Sequence, residues 1–407
     1  MSTEERFLRY CRIDTQSDES STTSPSTMKQ KDLAEVLVQE LQQMGIADAH
    51  MDEYGYVYAH IASNIDHVCA NVGFIAHMDT ASDYSGTGVN PRVIEKYDGS
   101  DIVLCDDAVI RVSDYPYLKK CVGKRLIVTD GSTLLGGDDK AGVAAIMEAC
   151  DFWMKHPEKK HGRIAIAFTP DEEIGRGTDH FNLEEFGCDF AYTMDGGSVS
   201  GWCDETFNAA SAKLSFHGVS IHPGSAKDRM VNALNLAITF HNALPDFMRP
   251  EHTAGRQPFF HLIEMNGTSD QAESAYIVRA HEKDDFAMMK RMMEDIASRM
   301  NELYGYEAVD LELKDSYYNM RDILKDHPEV TQIAQKAIAS LGIEPVHESV
   351  RGGTDGAMLT YKGLPCPNLG TGDQNCHGRY EYVVVEEMEQ ASRLILRIAE
   401  MSTEVNK

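Results

Sequence analysis

Apolar residues recur at helical spacing over 28–45, where Leu33, Val36, Leu37, Leu41 and Met44 share a face and Gly45 can act as the stop. The pattern predicts a helix there, with the hydroxyls of 24–27 (SPST) as its caps. The rhythm then changes to short apolar runs at 56–61, 72–76, 126–129, 163–168 and 190–194, which read as strands. A second helix is predicted over 139–153, with Val143, Ile146, Met147 and Cys150 on one side, and a C-terminal helix over 386–400. The turn formers of DYSGTGVNP (83–91) leave 79–123 irregular. Strands alternating with helices predict an α/β fold with a helix-covered, mostly parallel sheet.

From residue 207 the order differs. Strand 212–216, helix 230–244, strands 259–264 and 275–280, helix 286–303 and strand 309–313 follow one another as β-α-β-β-α-β, the order of a ferredoxin-like α+β module. In its second helix Phe286, Met289, Met293, Ile296, Met300 and Leu303 form a stripe that reads as core packing rather than a promiscuous methionine-rich groove. The expected organisation is a first domain over 1–206, an inserted domain over 207–316, and a return to the first domain over 317–407.

A chain of 407 residues can bury two or three ordinary cores, and 42% hydrophobic with 25% charged residues is a globular composition. The formal net charge of −27 argues against nucleic acid and anionic membranes as partners. Nine cysteines, an odd number without a CxxC, fit a reduced, cytoplasmic protein. The N-terminal stretch lacks the apolar core of a signal peptide, and no run approaches the ~18 apolar residues of a membrane helix.

Chemistry concentrates in five segments: GFIAHMDT (73–80), GGDDKAG (136–142), TPDEE (169–173), YTMDGG (192–197) and NCHGRYE (375–381). Together they offer two histidines and several carboxylates, donors suited to zinc or a related divalent ion. Ligands of a parallel sheet bind beyond the carboxyl ends of its strands, and His77, Glu172 and Asp195 each follow an apolar strand. Asp79, two residues after His77, shares its face and can orient its ring. Asp138 and Asp139 stand before a helix, where acids are favoured for any purpose; the phosphate-loop pattern GxxxxGK[ST] is absent. Three consecutive acids, Asp171 to Glu173, repel one another unless cations intervene or water surrounds them. One glutamate can ligate while its neighbour, pointing elsewhere, stays available as a base. Cys376 beside His377 has no further triad context and reads as a bystander thiol.

These segments, with DTQS (14–17), HPGSAK (222–227), DSYYNMR (315–321), RGGTDGA (351–357) and GLPCPNLGTG (363–372), carry a resemblance over nearly the whole chain. The chain resembles the metallopeptidase family that contains aminoacylase and carboxypeptidase G, and within it the tripeptide aminopeptidases. The resemblance implies a zinc-peptidase catalytic domain with a ferredoxin-like lid or dimerisation domain inserted. It implies two zinc ions per chain, with manganese or cobalt as substitutes, and release of the N-terminal residue of a small peptide by metal-activated water. His77 and Asp195 are implied to hold one ion, Glu173 and His377 the other, and Asp138 both, since Asp138 fits the DxK pattern. Asp79 is implied to orient His77, and Glu172 to be the general base. His222 is implied to stabilise the oxyanion, with Asn232, Arg279 and Arg351 as further substrate contacts and a homodimer through the insert. A cis peptide is expected at 138–139. Gly137 stands where relatives commonly have alanine. Rival readings are an N-acyl amino acid deacylase or carboxypeptidase of the same family, and a metal-binding protein without catalysis.

Overall fold

The computed structural model describes residues 1–405, which form two compact units. The first comprises Met1–Asp204, Asp322–Glu348 and the chain from Thr354 on; the second comprises Glu205–Arg321 and Ser349–Gly353. The second unit therefore interrupts the first.

The first unit is built on an eight-stranded sheet. At its centre Val72–His77 runs parallel to both Ile164–Thr169 and Phe190–Thr193, and Phe190–Thr193 runs parallel to Asn368–Leu369. Antiparallel strands extend one side, Val57–Ile61 and His50–Met51. On the other side Gly201–Cys203 lies antiparallel to Asn368–Leu369 and parallel to Val346–His347. The central strands are buried along their whole length, as strands covered on both faces must be. The largest core joins Phe74, Ile166 and Tyr192 of the sheet to Leu37, Ile146 and Ile395 from the helices Gln30–Met44, Gly137–Lys155 and Val385–Met401. Parallel pairing places the carboxyl ends of the central strands, at His77, Thr169 and Thr193, along one edge of the sheet.

Two details differ from expectation. The helix Gln30–Met44 ends on left-handed Gly45, but its N-cap is Lys29 and no side chain caps it. The hydroxyl of Ser26 donates instead to Asp171, at 2.5 Å, so the serine is engaged with the loop that carries Glu172. The region 79–123 is also not wholly irregular. Its Arg92–Ile94 joins Leu126–Val128, Tyr382–Val384 and Asp373–Gln374 in a four-stranded antiparallel sheet, and Ile102–Cys105 pairs with Ala108–Ile110. These strands are only two to four residues long, too short for a readable alternation.

The second unit has the strands Asn208–His217, Phe259–Gly267, Gln271–Ala280 and Val309–Tyr317 and the helices Ala233–Ala243 and Lys283–Tyr304. Numbered along the chain, its strands lie in the order 2-3-1-4, all antiparallel, which is the ferredoxin-like arrangement. Phe286, Met289, Met293 and Met300 are buried against this sheet, so the methionine stripe is core; Leu303, at 78% exposure, lies outside it. Among the described residues, no helix is long and apolar enough to cross a membrane.

Candidate metal centre

His77 is the last residue of its strand and is 2% exposed. Its Nδ1 lies 3.0 Å from the Asp79 carbonyl and 3.4 Å from the Asp79 carboxylate, while Nε2 lies 2.8 Å from Asp138 Oδ1. The orienting contact thus includes the Asp79 main chain as well as the expected side chain. The buried Asp79 carboxylate also accepts from the main-chain N–H groups of Glu172, at 2.9 Å, and Glu173, at 3.2 Å. One carboxylate thereby ties the first strand end to the paired glutamates on the next.

Asp138 lies in the kinked start of Gly137–Lys155, where both it and Asp139 depart from helical geometry and the peptide between them is cis. Asp138 Oδ1 faces His77 and Oδ2 stands 3.4 Å from Nε2 of His377. Asp139 turns the other way: its carboxylate accepts the N–H groups of His77 and Gly142, each at 3.2 Å. Gly142 is needed for this packing, because a Cβ there would stand 2.0 Å from the Met194 carbonyl and 2.4 Å from Asp139 Oδ1.

Glu172 and Glu173 lie in a short 3-10 turn, Glu172–Ile174, capped by left-handed Asp171. The buried Asp171 carboxylate accepts the Ser26 N–H, the Ser26 hydroxyl and the Gln30 amide, and Gln30 in turn accepts the Asp171 N–H. Glu173 Oε2 lies 2.9 Å from His377 Nε2. His377, in a left-handed loop position, is held between Glu173 and Asp138.

Two overlapping donor groups result. One ligand atom each from His77, Asp138 and Asp195 lie within 4.8 Å of one another, as do atoms of Asp138, Glu173 and His377. Asp138 belongs to both groups, and Glu172 to neither.

The electrostatics fit a cation site. Burial pushes the Glu172, Asp195 and Asp139 carboxyls well above their ordinary range, reinforced by neighbouring carboxylates. Burial and the Asp138 charge push Glu173 up to about 7. At His77 burial opposes the charged form, but bonds to Asp138 and Asp79 outweigh it and raise the imidazole well above its usual value. Bonds to Asp138 and Glu173 raise His377 to about 11. Asp138 itself is held below its usual range: burial opposes, but His377 and His77 prevail. The protein alone thus retains protons to offset concentrated negative charge, the task that divalent ions perform in a site of imidazoles and carboxylates. Cys376 is not poised as a nucleophile: its thiol donates to Asp373 at 2.9 Å, and burial and Asp373 push it well above the normal thiol range.

His222, Asn232, Arg279 and Arg351 all belong to the second unit. His222 is exposed and accepts the Gly224 N–H on Nδ1. Asn232 caps Ala233–Ala243 through Oδ1, so any substrate contact falls to its amide nitrogen. Arg279 donates to the Ala210 and Val278 carbonyls and lies over the Tyr317 ring. Arg351 donates to Gly255, Gln257 and Thr253 and stacks over Phe207 and Phe259. The supporting roles that the sequence did not assign are those of the buried acids Asp139, Asp171, Asp355 and Glu381. Asp355 accepts the Thr169 hydroxyl at 2.7 Å, and Glu381 accepts the main-chain N–H groups of Leu135, Gly136 and Asp138. Apart from Gly142, three residues from Asp139, their named partners are distant in sequence, so no local pattern marks these roles.

Comparison with known proteins finds relatives over nearly the whole chain. The chain is 50% identical over 397 residues to peptidase T of Shouchella clausii, covering 98% of this chain and 97% of that protein. A tripeptidase structure from Staphylococcus aureus shares the fold with a TM-score of 0.78 at 22% identity, covering 98% of each chain. The structure of aminopeptidase PepT from Bacillus cereus shares it with a TM-score of 0.76 at 21% identity, covering 99% of this chain and 98% of that one. Residues 131–401 match the peptidase family M20/M25/M40, and the chain belongs to that family.

Proposed function

We propose that this chain is a metallo-aminopeptidase that holds two zinc ions and releases the N-terminal residue of tripeptides. The observation that carries the reading is the division of labour in the carboxylates: Asp138 is common to both ligand groups, whereas Glu172 belongs to neither. His77 and Asp195 would hold one ion, Glu173 and His377 the other, and Asp138 both. Manganese or cobalt could occupy the same donors. The ions, when bound, supply Lewis acidity to a carbonyl and lower the pKa of water.

The chain's own part is proton handling and orientation. Glu172 takes the proton of the attacking water and returns it to the leaving amine. Its burial supports this role by raising its proton affinity toward that of the groups it serves. Asp79 orients His77 and fixes the main chain of Glu172 and Glu173. His222 is assigned to the oxyanion, Arg351 to a peptide carboxylate, and Asn232 and Arg279 to further substrate contacts. Near-full-length identity to peptidase T and the stretches DSYYNMR, RGGTDGA and GLPCPNL support the tripeptide preference. A homodimer through the second unit and a cytoplasmic location belong to the same reading.

The test is a panel of di-, tri- and tetrapeptides with free or acetylated N-termini, analysed by mass spectrometry. Free tripeptides should lose their first residue, and their N-acetylated forms should resist. Equal cleavage of acetylated peptides would overturn the aminopeptidase reading in favour of a deacylase or carboxypeptidase.

A further inference from the structure

Asp138 is carried by a short stretch of main chain, Leu135 to Asp138, that runs into the kinked start of Gly137–Lys155. Gly136 is left-handed there, at φ 79°, and the chain turns sharply around one side chain. That side chain is Glu381, which is 1% exposed. Its Oε2 accepts from Leu135 N at 2.7 Å and from Gly136 N at 2.8 Å, and its Oε1 accepts from Asp138 N at 3.1 Å. The packing is close around Gly137: a Cβ on it would stand 3.0 Å from Glu381 Oε1 and 2.7 Å from Val383 Cγ2.

We propose that Glu381 is a positioning residue for the metal centre: its carboxylate fixes the main chain of 135–138 so that the Asp138 side chain stands where both ligand groups need it. The proposal rests on the dimetal reading above. Glu381 lies four residues beyond His377, immediately before the strand Tyr382–Val384. It therefore joins the loop bearing one terminal ligand to the loop bearing the shared one. Three main-chain N–H groups converge on two oxygens, so an amide cannot replace the carboxylate without turning a donor toward a donor. Because Asp138 is shared, a displaced main chain affects both ions, unlike the loss of a partner to one terminal ligand.

The test is zinc binding by purified full-length protein, measured by competition with a chromophoric chelator well below the unfolding temperature, together with the visible spectrum of the cobalt-substituted protein. Glu381→Gln should bind zinc about 10- to 100-fold more weakly than the unaltered protein and give an altered cobalt spectrum. Glu387→Gln is the control for a general effect of losing a buried carboxylate, since Glu387 serves Tyr117 and Lys124 instead. It should bind zinc as the unaltered protein does. If Glu381→Gln fails to fold, Glu381→Asp, which keeps both oxygens but draws them back by one methylene, is measured in its place and should also bind more weakly. Unchanged zinc affinity and cobalt spectrum in the folded Glu381 variant would overturn the proposal. So would equal weakening by Glu387→Gln. Fewer than two zinc ions on the unaltered protein would strike the dimetal reading and this inference together, whereas two ions on both proteins with equal affinity would strike this inference alone.

Discussion

Gly142→Ala tests how tightly the ligand-bearing segments are pressed together. A Cβ at this position would stand 2.0 Å from the Met194 carbonyl, which immediately precedes Asp195, and 2.4 Å from the Asp139 carboxylate. Real carbon–oxygen contacts of this kind are not closer than 3.0 Å, so helix and strand end must part by about 1 Å. A backbone carbonyl cannot swing aside as a flexible side chain can, so the penalty should fall at the upper end of overpacking, about 3 kcal/mol. For a unit of more than 280 residues, with an unfolding entropy of roughly 2.1 cal/mol/K per residue, that corresponds to a fall in Tm of roughly 5 °C. The Asp139 carboxylate also accepts the His77 N–H, so its displacement disturbs the segments that carry His77 and Asp195. The assays are thermal unfolding of the metal-free protein and zinc titration at low temperature. Both stability and zinc affinity should fall. An unchanged Tm with unchanged zinc affinity would refute the packing argument.

Three further outcomes are expected. Glu172→Gln should retain both ions and lose about 10²- to 10⁴-fold in turnover, since its carboxylate lies outside both ligand groups; near-normal peptidase activity would remove it as the base. Zinc binding at pH 7 should release about two protons or more, because His77 is raised well above its usual value and His377 to about 11 in the metal-free protein, and both must deprotonate to ligate. The sign follows: protons compete with zinc, so affinity should rise as pH rises from 6 to 8, and calorimetry in buffers of different ionisation enthalpy gives the count; an affinity independent of pH would contradict it. Asp79→Asn should turn an amide donor toward the N–H of Glu172 or Glu173 and cost about 1–3 kcal/mol in urea unfolding, with lower kcat; an unchanged unfolding midpoint would show that the clamp is dispensable.

The centre of the sheet was legible because Val72–His77 and Ile164–Thr169 are apolar runs, buried throughout. The ferredoxin-like unit was legible from its order of elements, and the end of Gln30–Met44 from Gly45. The residues gathered into the two candidate donor groups were legible because each ends or follows such a strand, or lies in a motif of the family. The start of Gln30–Met44 was misread because a hydroxyl near a helix start has more than one acceptor within reach, and Ser26 turns to Asp171 across 145 residues. The antiparallel strands between 92 and 110 were missed because strands of three or four residues carry too little alternation to count. The supporting acids Asp139, Asp171, Asp355 and Glu381 were illegible for another reason. Each is identified by the distant groups it binds, and only the folded chain brings those groups to it.

The central claim is that Asp138 is shared by two ions, and anomalous diffraction at the zinc edge from zinc-loaded crystals tests it most directly. Two ions sharing Asp138 would give two peaks roughly 3.5–4 Å apart with Asp138 between them, one against His77 and Asp195 and the other against Glu173 and His377. A single peak at saturating zinc, or two peaks that do not share Asp138, would contradict it.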